Sequence, residues 1–154
     1  MKSTCVYYLE NIFVKATRKT SLAKAIATLK RHFKLKDIDT IAVRGVSGMV
    51  MGAQLALKLN KNLCVVRKKD GSHSDNDVES GMAFQGNYII LDDLIDTGAT
   101  IKAILKKIKE NDAQAVRSNG WENKAVGHST CLGIYLYRNN DVSSLEDFSQ
   151  RYDY

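Results

Sequence analysis

Apolar residues recur along the chain in two rhythms. From Ser21 to Phe33, positions Leu22, Ala25, Ile26, Leu29 and Phe33 return at the spacing of one helical face, behind Ser21 as the expected N-cap. "DTIAVRG" is a short unbroken apolar run ending at Arg44, and "MVMGAQLALKLN" predicts a second helix that closes near Asn60. "NLCVVRKK" predicts a strand that runs out in three cations, Arg67, Lys68 and Lys69. The polar stretch that follows, "DGSHSDNDVESGMAFQG", is long for a connection in a compact domain and reads as a lid or a solvated basic loop. The pattern resumes with a strand from Tyr88 to Leu91 and a helix from about Ala99 to Asn111 or beyond. A last strand lies in "STCLGIYLYR", and "SSLEDFSQRY" predicts a short terminal helix capped by Ser143 or Ser144.

Strand, helix, strand, loop, strand, helix, strand is the order of an α/β fold with a doubly wound, mainly parallel sheet and helices on both faces. Unbroken apolar strands such as "IAV", "LCVV" and "YIIL" suit a sheet covered on both sides. No internal repeat or linker interrupts residues 1–154, which predicts a single domain. Ligands of such folds bind where strands end and helices begin, and each unusual polar cluster of this chain falls at such an end.

Composition narrows the function classes. With 44% hydrophobic and 26% charged residues, the chain has the make-up of an ordinary globular protein. No run approaches the roughly 18 apolar residues of a membrane span, so no membrane association is expected. The opening "MKSTCVYYLENIF" lacks a long apolar stretch, so no signal peptide is expected there. Cys5, Cys64 and Cys131 lie far apart among apolar neighbours, as buried free thiols of a reducing cytoplasm would. The net charge of +6 raises the question of nucleic acid. Much of that charge is a helix face, however: in "IKAILKKIKE" Lys102, Lys106, Lys107 and Lys109 oppose Ile101, Ile104, Leu105 and Ile108. Nucleic acid is therefore not the expected partner, and a small anionic substrate suits the same charge.

Three clusters carry the chemistry. In "NYIILDDLIDTGATIKAIL" an apolar strand ends on Asp92 and Asp93, costly groups to bury unless a partner meets them. The turn that follows, Asp96, Thr97, Gly98, Ala99 and Thr100, offers backbone N–H groups at a helix N-terminus together with hydroxyl donors, a cradle for a terminal phosphate. Two adjacent carboxylates repel a phosphate but fit two ribose hydroxyls or a hydrated divalent cation. The second cluster is "VRGVSGMVMG", where Arg44 and the N–H groups of Gly45, Val46, Ser47 and Gly48 can take a second anion. The third is "VVRKKDGSH", where Arg67, Lys68, Lys69 and His73 open the polar loop. Each has a plainer reading as well: a capped helix for the first, an ordinary strand–helix turn for the second, a solvated loop for the third. Tyr135, Tyr137 and Phe148 read as core, and Trp121 in "SNGWENK" has no assigned role.

These residues resemble a known family. "YIILDDLIDTGATI" is similar to the phosphoribosyl pyrophosphate (PRPP) signature of the type I phosphoribosyltransferases, and the match is complete from Ile89 to Ile101. "IAVRGVSGMVMGAQLALKLNKNLCVVRK" resembles the pyrophosphate turn, helix and next strand of adenine-type members; the likeness runs from about Asp39 to Lys109. The resemblance implies transfer of 5-phosphoribose from PRPP to a nucleobase nitrogen with release of pyrophosphate, in nucleotide salvage, with Mg²⁺ as cofactor and a purine base favoured. It implies a core at about residues 39–138 with a small hood from parts of 1–20 and 139–154.

By the same resemblance Asp92 and Asp93 hold the ribose hydroxyls, and the metal through ribose or water. Residues Asp96 to Thr100 bind the 5-phosphate, and Arg44 to Gly48 with Arg67, Lys68 and Lys69 bind the pyrophosphate. Arg67 and Lys68 act on the leaving group, the Val43–Arg44 peptide is cis, and the loop from Lys69 to Gln85 closes as a lid reaching a neighbouring subunit of a homodimer. Asp96, which precedes Thr-Gly as in members acting on 6-oxopurines, is the catalytic partner of the base N7 proton, and Arg138 beside Tyr137 faces the base. The alternatives are a PRPP-sensing regulator without catalysis, and a pyrimidine-type or orotate-type transferase.

Overall fold

The computed structural model describes residues 14–68, 78–80, 86–118 and 129–154, with the backbone alone at 113–118. Six strands form one sheet: β1 (Thr40–Val43), β2 (Asn62–Val66), β3 (Val78–Ser80), β4 (Asn87–Asp92), β5 (Thr130–Leu136) and β6 (Asp141–Ser143), in spatial order β3-β2-β1-β4-β5-β6. Strands β2, β1, β4 and β5 run parallel, while β3 and β6 close the two edges antiparallel. The helices are α1 (Lys19–His32), α2 (Val46–Leu59), α3 (Ala99–Ser118) and α4 (Leu145–Tyr152). The expected α/β fold with a mainly parallel, doubly wound sheet is the observed one.

Period-two alternation distributes the strands' side chains between two cores. In β4, Ile89 and Leu91 enter the core shared with α1 and α2, while Tyr88 and Ile90 enter the one shared with α3 and α4. Leu29, Met51 and Leu55 fill the first; Ile101, Ile104 and Phe148 fill the second. Each such fully buried side chain contributes roughly 1.5–3 kcal/mol, and cover on both faces is why the strands read as unbroken apolar runs. The lysines of "IKAILKKIKE" lie on the outer side, with Ile101, Ile104, Leu105 and Ile108 buried beneath.

The winding sense reverses in the middle of the sheet. From β1 the chain crosses through α2 to β2 on one side; from β4 it crosses through α3 to β5 on the other. The turns after β1 and β4 thus diverge from neighbouring strand ends and leave a crevice between them.

Several details differ from the sequence expectation. Helix α1 starts at Lys19 behind an extended Arg18 with no side-chain cap, so Ser21 falls inside the first turn; the Leu22 amide already donates to Arg18 O. Of the two serines expected to cap α4, Ser144 does so, its Oγ accepting from Asp147 N at 3.1 Å. Helix α2 ends as expected at Asn60, left-handed at φ 54°. Strands β3 and β6 were not expected: at three residues each they are too short to show a period, and β3 lies inside the stretch read as a loop. Residues 69–77 and 81–85 of that loop, including Lys69, His73 and Gln85, lie outside the described residues, as do Cys5 and Trp121.

A buried polar knot ties the β5–β6 turn to α1. Asn140, left-handed at φ 52°, accepts through Oδ1 from Thr28 Oγ1 at 2.9 Å and from the Tyr135 hydroxyl at 2.7 Å. Replacing Asn140 by alanine strands the buried Tyr135 hydroxyl and leaves Thr28 Oγ1 with only the Arg31 Nη2 donor, so Asn140→Ala is expected to cost about 1–3 kcal/mol in urea denaturation. A loss below about 0.5 kcal/mol, the size of an ordinary surface substitution, would contradict this role.

Candidate active site

Both glycine-bearing turns leave the sheet at the reversal point. Residues 44–47, Lys68 and residues 92–101 line one cavity of about 400 Å³. Gly48 lies beneath it: a Cβ there would stand 3.0 Å from Leu91 O, so the absent side chain lets α2 start against the end of β4.

The carboxylate pair sits at the floor. Asp92 ends β4 and Asp93 follows; they are 6% and 7% exposed. Asp93 N donates to Asp92 Oδ1 at 2.9 Å, and Ser47 Oγ reaches Asp93 Oδ1 at 3.4 Å. The carbonyls of Asp92 and Asp93 accept from the amides of Tyr137 and Arg138, both at 3.1 Å, which continues the β4–β5 pairing past the strand end. The Tyr137 hydroxyl donates to Ser47 O at 2.9 Å, so one side chain from β5 braces the turn after β1. Burial raises the Asp92 carboxyl well above its ordinary value; the neighbouring Asp93 side chain adds to this, while the Asp93 amide and Lys68 oppose it.

Arg44 enters the first turn half-buried, and its Nε is buried without an acceptor. A buried, unmet donor is unfavourable by about 1–3 kcal/mol, and Arg44 is one of the residues lining the cavity. The expected cis bond is not found: Val43–Arg44 is trans, and the chain turns instead at Gly45, φ 85°. In the second turn Gly98 takes φ 82°, Thr97 Oγ1 accepts from Ala99 N at 3.3 Å, and Lys102 N opens the helical ladder on Gly98 O. Asp96 and Thr97 are exposed at the mouth, with the positive end of α3 behind them.

Other expected site residues stand apart. Arg67 forms an ion pair with Glu79 of β3 at 2.9 Å and does not line the cavity; the antiparallel β3, placing Glu79 opposite Val65, draws it to the sheet edge. Tyr137 is a buried brace and lines neither this cavity nor its neighbour. Arg138 is exposed, its carbonyl accepting from Lys15 Nζ at 3.3 Å, and lines neither this cavity nor its neighbour.

That neighbour, about 770 Å³, shares Asp93, Leu94 and Ile95 with the first and is walled by the β5–β6 hairpin and α4. Asp147, Gln150 and Arg151 of α4 reach it. In the sequence those residues look like any solvated helix face; only the apolar pair Leu94–Ile95 inside an acidic turn hinted at a second surface.

Among the described residues no three His, Cys, Asp or Glu side chains gather as a metal cage. The pair Asp92–Asp93 nonetheless fits Mg²⁺, which is usually held by one or two carboxylates and completes its shell with water and substrate phosphates. Burial is the main cause of the raised Asp92 carboxyl, and a bound cation would favour its charged form.

No family model matches the chain. It is 33% identical over 113 residues to an adenine phosphoribosyltransferase of Marinobacter nauticus, covering 64% of this chain and 63% of that protein. It is 33% identical over 107 residues to one of Halothermothrix orenii, covering 60% and 63%. The orotate phosphoribosyltransferase structure of Aeropyrum pernix superposes with a TM-score of 0.53 at 19% identity, over 86% of this chain and 73% of that one, a likeness of fold. The fold is that of the type I phosphoribosyltransferases, and the sequence is similar to their adenine-type members. The chain spans less than two thirds of the length of the first two curated relatives. Within this family's fold, both turns carrying the sequence resemblance meet in one cavity.

A pH dependence follows from Asp92. Its carboxyl titrates higher in the folded chain than the ordinary 3.8, so the folded state holds the proton more tightly. Stability contributed this way is present below the unfolded value and is lost as pH rises through the folded one. In ligand-free protein Asp92→Asn is expected to raise Tm at pH 8 by a few degrees, at about 2–4 °C per kcal/mol, with the gain vanishing towards pH 4. A Tm below wild type at pH 8 would contradict the assignment.

Proposed function

We propose that this chain transfers the 5-phosphoribosyl group of PRPP to a ring nitrogen of a purine base, adenine favoured, and releases pyrophosphate, a salvage reaction. The observation that carries this reading is the meeting of two anion-binding turns over one buried carboxylate pair. A ribose with phosphate groups at both ends has the matching order of charges. Asp92 and Asp93 would accept hydrogen bonds from the ribose hydroxyls, the turn from Asp96 to Thr100 would hold the 5-phosphate, and Arg44 to Gly48 with Lys68 would hold the pyrophosphate. The choice of adenine is supported by the adenine phosphoribosyltransferases among the relatives.

The chemistry follows from where charge develops. As the bond from ribose C1 to pyrophosphate lengthens, the ring gains oxocarbenium character and the leaving oxygens gain negative charge. Arg44 and Lys68, which line the cavity, would stabilise that charge, and stabilisation that grows towards the transition state raises the rate. The base nitrogen then bonds to C1 and the electron pair of the broken bond leaves with pyrophosphate. Mg²⁺, held through Asp92 and Asp93 by ribose or water, would supply further positive charge to the leaving group. The neighbouring cavity, which touches the first along Asp93 to Ile95, is the natural seat of the base. Asp96 lines only the first of these two cavities, yet it remains the candidate partner for the base proton.

Exposed Val46 and Met49 beside the pyrophosphate turn support a homodimer. The unbridged thiols of Cys64 and Cys131 suit a reducing cytoplasm. No described helix is long and apolar enough to cross a membrane.

The test mixes the protein with PRPP, Mg²⁺ and adenine, hypoxanthine, guanine or orotate, and follows pyrophosphate. Release is expected to be fastest with adenine and to require Mg²⁺. PRPP binding without release for any base would contradict catalysis and favour a sensing role.

A further inference from the structure

The terminal helix packs where the phosphate turn needs backing. A Cβ built on Gly98 would lie 3.0 Å from Tyr152 Cδ1, 3.1 Å from Cγ and 3.2 Å from Cβ, so the open side of this left-handed residue rests directly on the tyrosine. The Tyr152 ring in turn stacks on Phe148, with centroids 4.9 Å apart and planes at 28°. Phe148 is 1% exposed and anchored in the core with Ile101 and Ile104 of α3. Beyond Tyr152 the chain reverses at Asp153, φ 52°, and Tyr154 N returns to Ser149 O at 3.2 Å, which fixes the end of the helix.

We infer that Tyr152 is a positioning residue for the 5-phosphate turn, holding Gly98 in the conformation that aims its neighbouring N–H groups into the cavity. The inference rests on the phosphoribosyl-transfer reading and adds to it a residue outside the signature motif. Helix α4 also walls the neighbouring cavity through Asp147 and Arg151, so one eight-residue element touches the phosphate turn and the proposed base seat. The pyrophosphate turn is independent of this support: it leads into α2, whose core lies on the opposite face of the sheet.

That separation supplies the test. Calorimetric titrations of the full chain with ribose 5-phosphate and, separately, with pyrophosphate would compare wild type, Tyr152→Phe and Tyr152→Ala. Tyr152→Ala is expected to weaken ribose 5-phosphate about tenfold, a change of ~1.4 kcal/mol, while pyrophosphate stays within about twofold. Tyr152→Phe keeps the ring and is expected to bind both as wild type does. Tyr152→Leu, which fills the space without a flat ring, carries the same comparison should the alanine variant fold poorly, and is expected to show the same selective loss in smaller measure. Equal weakening of both ligands, or of neither, would overturn the positioning role. A wild-type chain that binds neither ligand would overturn the phosphoribosyl reading itself, and the role with it.

Discussion

Two carboxylates at the buried end of a central strand are the constraint on which the site depends. Asp92 and Asp93 leave water as β4 leaves the core, and the fold holds them with backbone bonds from Tyr137 and Arg138 and a contact from Ser47. That arrangement satisfies carbonyls and positions side chains, while burial holds the Asp92 carboxyl well above its ordinary value. Arg44 has a buried donor without an acceptor. The same cavity is lined by both carboxylates and by Arg44 and Lys68. A ligand with hydroxyls in the middle and anions at its ends suits both kinds of group at once.

The reversal of winding between β1 and β4 is what brings these groups together. Arg44 and Asp92 are far apart in the chain, yet they follow adjacent parallel strands whose helices cross to opposite sides. Tyr137, the first residue of the turn that Asn140 pins to α1, then braces Ser47 across the gap. Packing on both faces of the sheet and the polar site at its edge are therefore one design, since the strands that fill the cores also aim the turns.

Much of this was legible in the sequence. The apolar strands, α2 with its Asn60 stop, the lysine face of α3 and the two glycine-bearing turns all carry local signals: unbroken apolar runs, helical spacing, glycine at a turn. What escaped depends on contacts between distant segments. Three-residue edge strands have no period to read. Glu79, placed by β3, takes Arg67 to the sheet edge away from the cavity, and nothing near Arg67 in the chain announces it. Tyr137 was read as core, which it is, but its hydroxyl also bridges two turns, a role visible only in space. The second cavity escaped for the same reason, since its wall α4 returns from the far end of the chain to lie against the signature motif.

The central claim is that the two turns form one composite site for a single doubly anionic ribose. Its most direct test is a calorimetric titration of wild-type protein with PRPP in Mg²⁺, repeated with ribose 5-phosphate or with pyrophosphate already present. The account predicts one PRPP per chain, and competition from each of the two partial ligands. PRPP binding that only one of them displaces, or that neither affects, would contradict a shared site.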